Sequence, residues 1–126
     1  MNLQAIIDGM SEQWQRERAE TQLTLGKMIA VLEAMPVGTM VANLHGAHSY
    51  RGYYCDLAFA KNEGTREASE LLSECKSAVG RVFQGYKGGD FMMGASTPLW
   101  IASYGNCGQR LIALHVGGEI ETADND

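Results

Sequence analysis

The sequence predicts an α+β protein: a mainly antiparallel sheet with N-terminal helices and one further helix packed on it. Segments near the N-terminus and one in the middle repeat apolar residues at helical spacing, whereas the second half alternates apolar and polar residues between glycine-rich turns. Helices and strands are thus grouped along the chain instead of alternating strictly. Such grouping favours antiparallel pairing over a parallel α/β sheet.

Length and charge limit the classes of protein to consider. The 126 residues are enough for one domain, assigned to residues 1–118, and residues 119–126, with four carboxylates, are predicted to form a flexible acidic tail. The formal net charge of −5 argues against a protein that binds long nucleic acid, which usually presents a basic face. No apolar run reaches membrane-spanning length and no secretory signal is evident, so we expect a cytoplasmic protein.

The predicted helices are amphipathic. From Leu3 to about Arg18, apolar residues that include Trp14 fall on one side, and this stripe can pack either on the domain or on a second copy of the chain. Thr24 is predicted to cap a second helix that ends before Pro36. Thr65 is predicted to cap a third helix after a polar turn at residues 61–64.

The remaining segments are predicted to be strands and turns. Residues 51–59 give the clearest pattern, because alternate side chains from Tyr53 to Phe59 are apolar and share one face. Residues 45–49 are predicted to be a loop, and the glycines of residues 105–108 indicate a hairpin turn. The predicted strands are residues 39–44, 51–59, 81–84, 91–93, 98–104 and 109–116.

Glycines, aromatic rings and cations concentrate in two short stretches, GYKGGDF at residues 85–91 and SYRGYY at residues 49–54. Glycine permits positive φ and close approach to main-chain N–H groups. Rings offer flat faces to a base, and Arg or Lys offers donors to phosphate. We therefore expect both stretches to meet the hairpin that carries Arg110 around one pocket for a small anionic nucleotide. The alternative for the glycines is a tight turn with a bulge.

Other chemistries have weaker support in the sequence. Residues 85–88 match the Gly-x-x-Gly of a KH loop, but strand-like sequence flanks them, and no Walker A motif is present. His45 and His48 lack the further ligands that a metal site needs. No nucleophile elbow or pair of central carboxylates is evident. We therefore expect no catalytic activity, no metal and no cofactor.

Several motifs together resemble a known protein family. The stretch SYRGYY with LAF at residues 57–59, FQGYKGGDF at residues 83–91, TPLW at residues 97–100 and YG at residues 104–105 are similar to the phage-encoded anti-Thoeris sponge family, first type. The resemblance extends from about Leu23 to Val116. Members of that family bind a cyclic ADP-ribose isomer, the signal of bacterial TIR-domain defence proteins, and hold it without cleaving it.

The resemblance implies a phage protein of viral immune evasion that acts in the host cytoplasm. It also implies a homo-oligomer, a dimer or a hexamer, with pockets at the protomer junction, and for some members separate sites for cyclic di- or trinucleotides. By this similarity, Phe83 stacks on adenine, Arg110 meets phosphate and Arg51 is a second phosphate contact. Met93 stands where the family presents an amide. The candidate ligand-binding residues are Phe83, Arg110, Arg51, Tyr50, Tyr86, Lys87, Met93, Thr97 and Trp100.

Two other functions remain open at this point. The acidic balance and the Trp14 stripe are compatible with an inhibitor that masks the surface of a host protein. A nucleotide hydrolase would rest on His45, His48 and Asp56 alone.

Overall fold

A computed structural model describes residues 15–102 and 108–124. The helices are α1 (residues 15–21), α2 (Leu25–Ala34) and α3 (Ala68–Ala78), and the strands are β1 (Met40–Ser49), β2 (Leu57–Glu67), β3 (Val82–Gln84), β4 (Asp90–Met92), β5 (Leu99–Ile101), β6 (Gln109–Leu114) and β7 (Ile120–Ala123). None of the described helices has the length and apolar character to cross a membrane.

Five of these strands form one sheet in the order β1-β2-β5-β6-β7, and β3 and β4 form a separate hairpin. Strands β2 and β5 are parallel, whereas every other neighbouring pair is antiparallel. The α+β class with a mainly antiparallel sheet is therefore confirmed.

The helix predictions are confirmed for α2 and need correction for α3. Helix α2 begins after Thr24, whose side-chain oxygen accepts a hydrogen bond from the Lys27 N–H at 3.3 Å. Helix α3 begins at Ala68 rather than after Thr65, because β2 continues through the expected polar turn to Glu67 and pairs with β1 over that length. Residues 3–14 of the first predicted helix, with Trp14, lie outside the described residues.

One loop prediction and part of one strand prediction are wrong, in each case because hydrogen bonds to another part of the chain decide the structure. Strand β1 runs through residues 45–49, which were expected to form a loop, because β2 supplies a pairing partner along that length. Residues 51–56 form a loop instead of a strand. The Tyr50 N–H donates to the Asp56 carbonyl at 2.9 Å and closes this loop. The alternation of apolar side chains in residues 51–56 therefore does not correspond to a strand.

The C-terminal residues also differ from the expected flexible tail. Strand β7 lies within residues 119–126 and pairs with β6, so the described part of this segment belongs to the sheet. The turn before β7 returns to the opposite edge, where the Gly118 carbonyl accepts a hydrogen bond from the Ala42 N–H at 2.9 Å. The sheet is therefore curved, so that β1 at one edge lies next to the turn that precedes β7 at the other edge.

The chain between α1 and α2 fills a gap in this sheet. Leu23 donates its N–H to the Leu111 carbonyl at 2.8 Å and accepts from the Leu99 N–H at 3.0 Å. It thereby joins β5 to β6 where the direct pairing of these strands ends. Because these bonds fix the end of α1, the helix lies beside the β5–β6 pair, and this position forms the site described below.

Replacement of Gly118 by alanine should lower the free energy of unfolding by about 1–3 kcal/mol, the usual range for a strained backbone position. Its φ of +96° disfavours any side chain, and a Cβ there would lie 2.1 Å from the Met40 carbonyl oxygen. Gly117→Ala is the matched control, because a Cβ on Gly117 has no atom within 4 Å. Urea denaturation of both variants measures the difference, and equal stabilities would contradict the tight contact.

Candidate functional site

A cavity of about 290 Å³ lies between α1, the 51–56 loop and strands β5 and β6. Five of its seven lining residues carry polar or charged side chains, two of them arginines, and the other two carry aromatic rings. The lining residues are Glu17, Arg18, Thr21, Gln22, Tyr53, Trp100 and Arg110. Four of them come from α1 and the residue after it, two from neighbouring strands and one from the loop.

The fully buried carboxylate of Asp56 organises one wall of this cavity. Its Oδ2 accepts from the Arg18 Nε–H at 2.6 Å and from the Trp100 Nε1–H at 2.8 Å. Its Oδ1 accepts a second Arg18 donor, Nη2–H, at 3.0 Å. A buried charge is tolerated when it is paired and hydrogen-bonded, and Asp56 meets both conditions with donors from α1 and β5.

Arg18 is held on two sides. Its guanidinium binds Asp56 with two parallel hydrogen bonds and lies 4.1 Å from the centroid of the Tyr53 ring. Burial alone would lower the pKa of Arg18, but the hydrogen bond and charge of Asp56 outweigh burial and raise it. Arg18 is therefore a permanent cation with a fixed orientation at the cavity wall.

The aromatic wall is rigid because its rings pack on one another. Trp100 stacks on Tyr50 with centroids 4.4 Å apart, and Tyr53 is tilted against Trp100 at 5.6 Å. The Tyr50 hydroxyl accepts a hydrogen bond from the Gly108 N–H at 3.0 Å. Gly52 is needed beside this stack, since a Cβ there would lie 2.7 Å from the Tyr50 ring.

Arg110 faces the same cavity from β6, directly across from Trp100 in the strand register. Its Nε–H donates to the Asp124 carbonyl at 3.2 Å. No carboxylate of the described residues forms an ion pair with Arg110. Most of its guanidinium donors therefore remain available to an anion.

Gln22 is a buried polar residue with one unused group. Its side-chain Nε2–H donates to the Leu99 carbonyl at 2.9 Å. Its Oε1 is buried and has no hydrogen-bond partner among the described residues. A buried acceptor without a donor is unfavourable, so this position at the cavity wall is suited to a donor from outside the chain.

Arg110 and Trp100 are the two residues from the sequence-based set that line this cavity, and Tyr50 supports Trp100 from behind. The others lie elsewhere. Arg51 stacks on Tyr86 at 3.7 Å, and Lys87 is exposed in the same turn. The turn at residues 85–89 contacts the 51–56 loop through Tyr86 but contributes no residue to the cavity. The expectation that all three segments surround one pocket is therefore wrong for this cavity.

Three other candidates are buried in the protein. Phe83 belongs to the main core, with Arg81 placed 4.7 Å over its ring, so its faces are not open for stacking on adenine. Met93 also lies in the core. The Thr97 side-chain oxygen accepts from the Gly94 N–H at 2.8 Å and stabilises a turn. The fold itself covers these three residues, which sequence motifs do not show, and their assignment as ligand contacts stays a prediction.

Arg18 and Tyr53 were not among the candidate ligand-binding residues, and Asp56 was considered only for a nucleotide hydrolase. One signal was present: Asp56 lies just before an apolar strand segment, and a carboxylate in such surroundings needs a cationic partner. That partner is 38 residues away in sequence, so no local pattern could reveal it.

The other reactive groups within residues 15–102 and 108–124 are not arranged for metal or nucleophile chemistry. Among the described residues, no three His, Cys, Asp or Glu side chains are grouped to hold a metal ion. The His48 Nδ1 lies 2.6 Å from the Gly46 carbonyl oxygen. Burial, followed by the nearby Asp56 charge, raises the pKa of Cys55, which therefore remains a thiol at neutral pH.

Trp100→Phe should lower the free energy of unfolding by about 1–3 kcal/mol, because the fully buried Asp56 carboxylate loses one of its hydrogen-bond donors. Tyr53→Phe is the matched control. It keeps a ring in the same aromatic wall and removes a hydroxyl that forms no hydrogen bond with the residues that the structure describes. Thermal and urea denaturation of both variants measure the difference. A Trp100→Phe variant as stable as Tyr53→Phe would show that the indole hydrogen bond contributes little.

Searches of protein-family models, of curated proteins and of solved structures give no match to this chain. The geometry of the cavity is therefore the basis on which its function is inferred.

Proposed function

We propose that this protein is a phage anti-defence protein that binds a cyclic ADP-ribose isomer and sequesters it without cleavage, thereby blocking host immune signalling. The observation that supports this proposal is the cavity in which Arg110, which has no ion-pair partner among the described residues, faces a wall of aromatic rings. The motif resemblance to anti-Thoeris sponges supports the same ligand class.

The cavity offers a partner for each chemical part of such a ligand. A cyclic ADP-ribose isomer carries a pyrophosphate, a purine and ribose hydroxyls. Arg110 supplies charged donors for phosphate, and the half-exposed Tyr53 ring supplies a stacking surface. Thr21 and Gln22 place polar atoms at the same wall for hydroxyl groups.

The size of the cavity favours a site completed by a second subunit. Its 290 Å³ is at the lower limit of ligand pockets, which typically measure about 300–1,000 Å³. A ligand of this class would extend beyond it. We therefore propose a homo-oligomer, a dimer or a hexamer, in which another copy covers the exposed part of the ligand.

The neighbouring exposed surface offers a further place for nucleotides. Tyr86 is 65% exposed, with Arg51 on its ring and Lys87 beside it in sequence. Rings and cations in this arrangement suit the bases and phosphates of a cyclic di- or trinucleotide. This surface is our candidate for such ligands.

Sequestration requires affinity rather than catalysis. To lower the free concentration of a signal, the protein needs a Kd on the order of nanomolar, or about 12 kcal/mol. The buried carboxylate at this site is unsuited to act as a general base, because Asp56 already accepts hydrogen bonds from Arg18 and Trp100.

Calorimetric titration with cyclic ADP-ribose isomers should show tight binding to the wild type. Arg110→Gln should weaken it by at least about tenfold, since a charged hydrogen bond contributes about 1.5–3 kcal/mol. Arg81→Gln is the control, because Arg81 is exposed, lies over Phe83 and does not line the cavity. After heat denaturation of the complex, mass spectrometry should recover the intact ligand.

Recovery of a cleaved product would instead identify an enzyme, and lack of binding by every isomer would refute the proposal. If Arg110→Gln retains anti-defence activity while Trp14→Ala loses it, a protein-surface inhibitor of a host factor is the better explanation.

A further inference from the structure

We infer that Arg18 is the second cation that holds the anionic group of the ligand, opposite Arg110, and that Asp56 is a positioning residue that orients Arg18 for this role. The inference rests on the proposed nucleotide function. The sequence resemblance implied that Arg51 is the second phosphate contact, but Arg51 does not line the cavity. The inference gives this role to Arg18. Arg18 and Arg110 both line the cavity, one from α1 and one from β6.

The hydrogen bonds of Arg18 leave one edge of its guanidinium unused. Nε–H and Nη2–H donate to the two oxygens of Asp56, and one face lies on the Tyr53 ring. Nη1 has no hydrogen-bond partner among the residues that the structure describes. Because a guanidinium is planar and its donors diverge in fixed directions, fixing the Nε–Nη2 edge also fixes the direction of the Nη1 donors.

Asp56 is suited to positioning because Arg18 is the only cation among the described residues that forms an ion pair with it. Its side chain is fully buried, and the side chain of Arg18 is 15% exposed. The Trp100 indole N–H holds the carboxylate from the opposite direction. Asp56 therefore acts on the ligand through Arg18 and does not need to touch it.

The charges around the cavity also indicate which anions it accepts. Two cations, Arg18 and Arg110, are matched by two carboxylates, Glu17 in the lining and Asp56 behind it. A bare polyanion gains little from such a balanced site. A phosphate diester that also brings hydroxyl donors gains more, because it can satisfy the buried Gln22 Oε1 as well. The site thus favours sugar-linked phosphates over inorganic pyrophosphate.

A double-mutant cycle tests the assignment. Calorimetry with the cyclic ADP-ribose isomer that the wild type binds should show a loss of about 10- to 100-fold for Arg18→Gln, the range for a hydrogen bond to a charged group. Asp56→Asn should cause a similar loss. The variant with both substitutions should bind no more weakly than Arg18→Gln, because Asp56 acts through Arg18.

Arg16→Gln is the matched control, since Arg16 is an exposed arginine of the same helix that does not line the cavity. It should bind like the wild type. Inorganic pyrophosphate, titrated in parallel, should bind at least about 100-fold more weakly than the cyclic nucleotide if the cavity requires both phosphate and hydroxyl groups.

Arg18→Lys keeps the assignment testable if Asp56→Asn fails to fold. Lysine retains the charge opposite Asp56 but lacks the planar fork, so the variant should lose less thermal stability than Arg18→Gln, which leaves the buried carboxylate unpaired, while affinity falls about tenfold. Wild-type affinity in Arg18→Gln and Arg18→Lys, or additive losses in the cycle, would overturn the assignment and leave the proposed function standing. Failure of the wild type to bind any isomer would overturn both.

Discussion

The buried charge of Asp56 is the constraint on which the arrangement of this protein depends. Its carboxylate joins α1 through Arg18 and β5 through Trp100, while its own main chain closes the 51–56 loop. Loss of one partner from a buried ion pair typically destabilises a protein by about 3–5 kcal/mol, because the remaining charge is left uncompensated. The same contacts that stabilise these elements therefore also hold the cavity between them open.

The 51–56 loop serves two surfaces at once. Tyr53 points to the cavity and carries the Arg18 guanidinium, whereas Tyr54 packs against Phe91 of the β3–β4 hairpin. Arg51 stacks on Tyr86 in the same hairpin turn. A ligand at either surface would therefore contact or adjoin the same short loop, and this shared element offers a physical route by which one site could affect the other.

The glycines of the two ring-rich stretches have structural roles that do not require a ligand. A Cβ on Gly85 would lie 2.8 Å from the Phe91 ring, and Gly88 and Gly89 have φ of +93° and +84°. Close packing and positive φ thus account for these positions. The binding argument rests instead on Arg110, Arg18 and the Tyr53 ring, whose charges and faces the fold leaves partly unused.

The sequence by itself determined the elements that local physics controls. The Thr24 cap and the apolar stripe of α2 follow from helix geometry, and the short β3–β4 and β5–β6 pairs follow from turn residues between apolar segments. The α+β class follows from their order. Of the site, the sequence indicated Arg110 and Trp100, because a cation and a ring stood on strands joined by a predicted hairpin turn.

Only the tertiary structure decided which side chains face the cavity. The 51–56 segment has strand-like alternation, but it is a loop in the structure, closed by the hydrogen bond from the Tyr50 N–H to the Asp56 carbonyl and joined to a helix 38 residues earlier by the Asp56 ion pair. Phe83 and Met93 were equally plausible as surface or core until the packing of α2, α3 and the sheet buried them. Local patterns report periodicity within one element, whereas burial and charge pairing depend on elements that meet from distant parts of the chain.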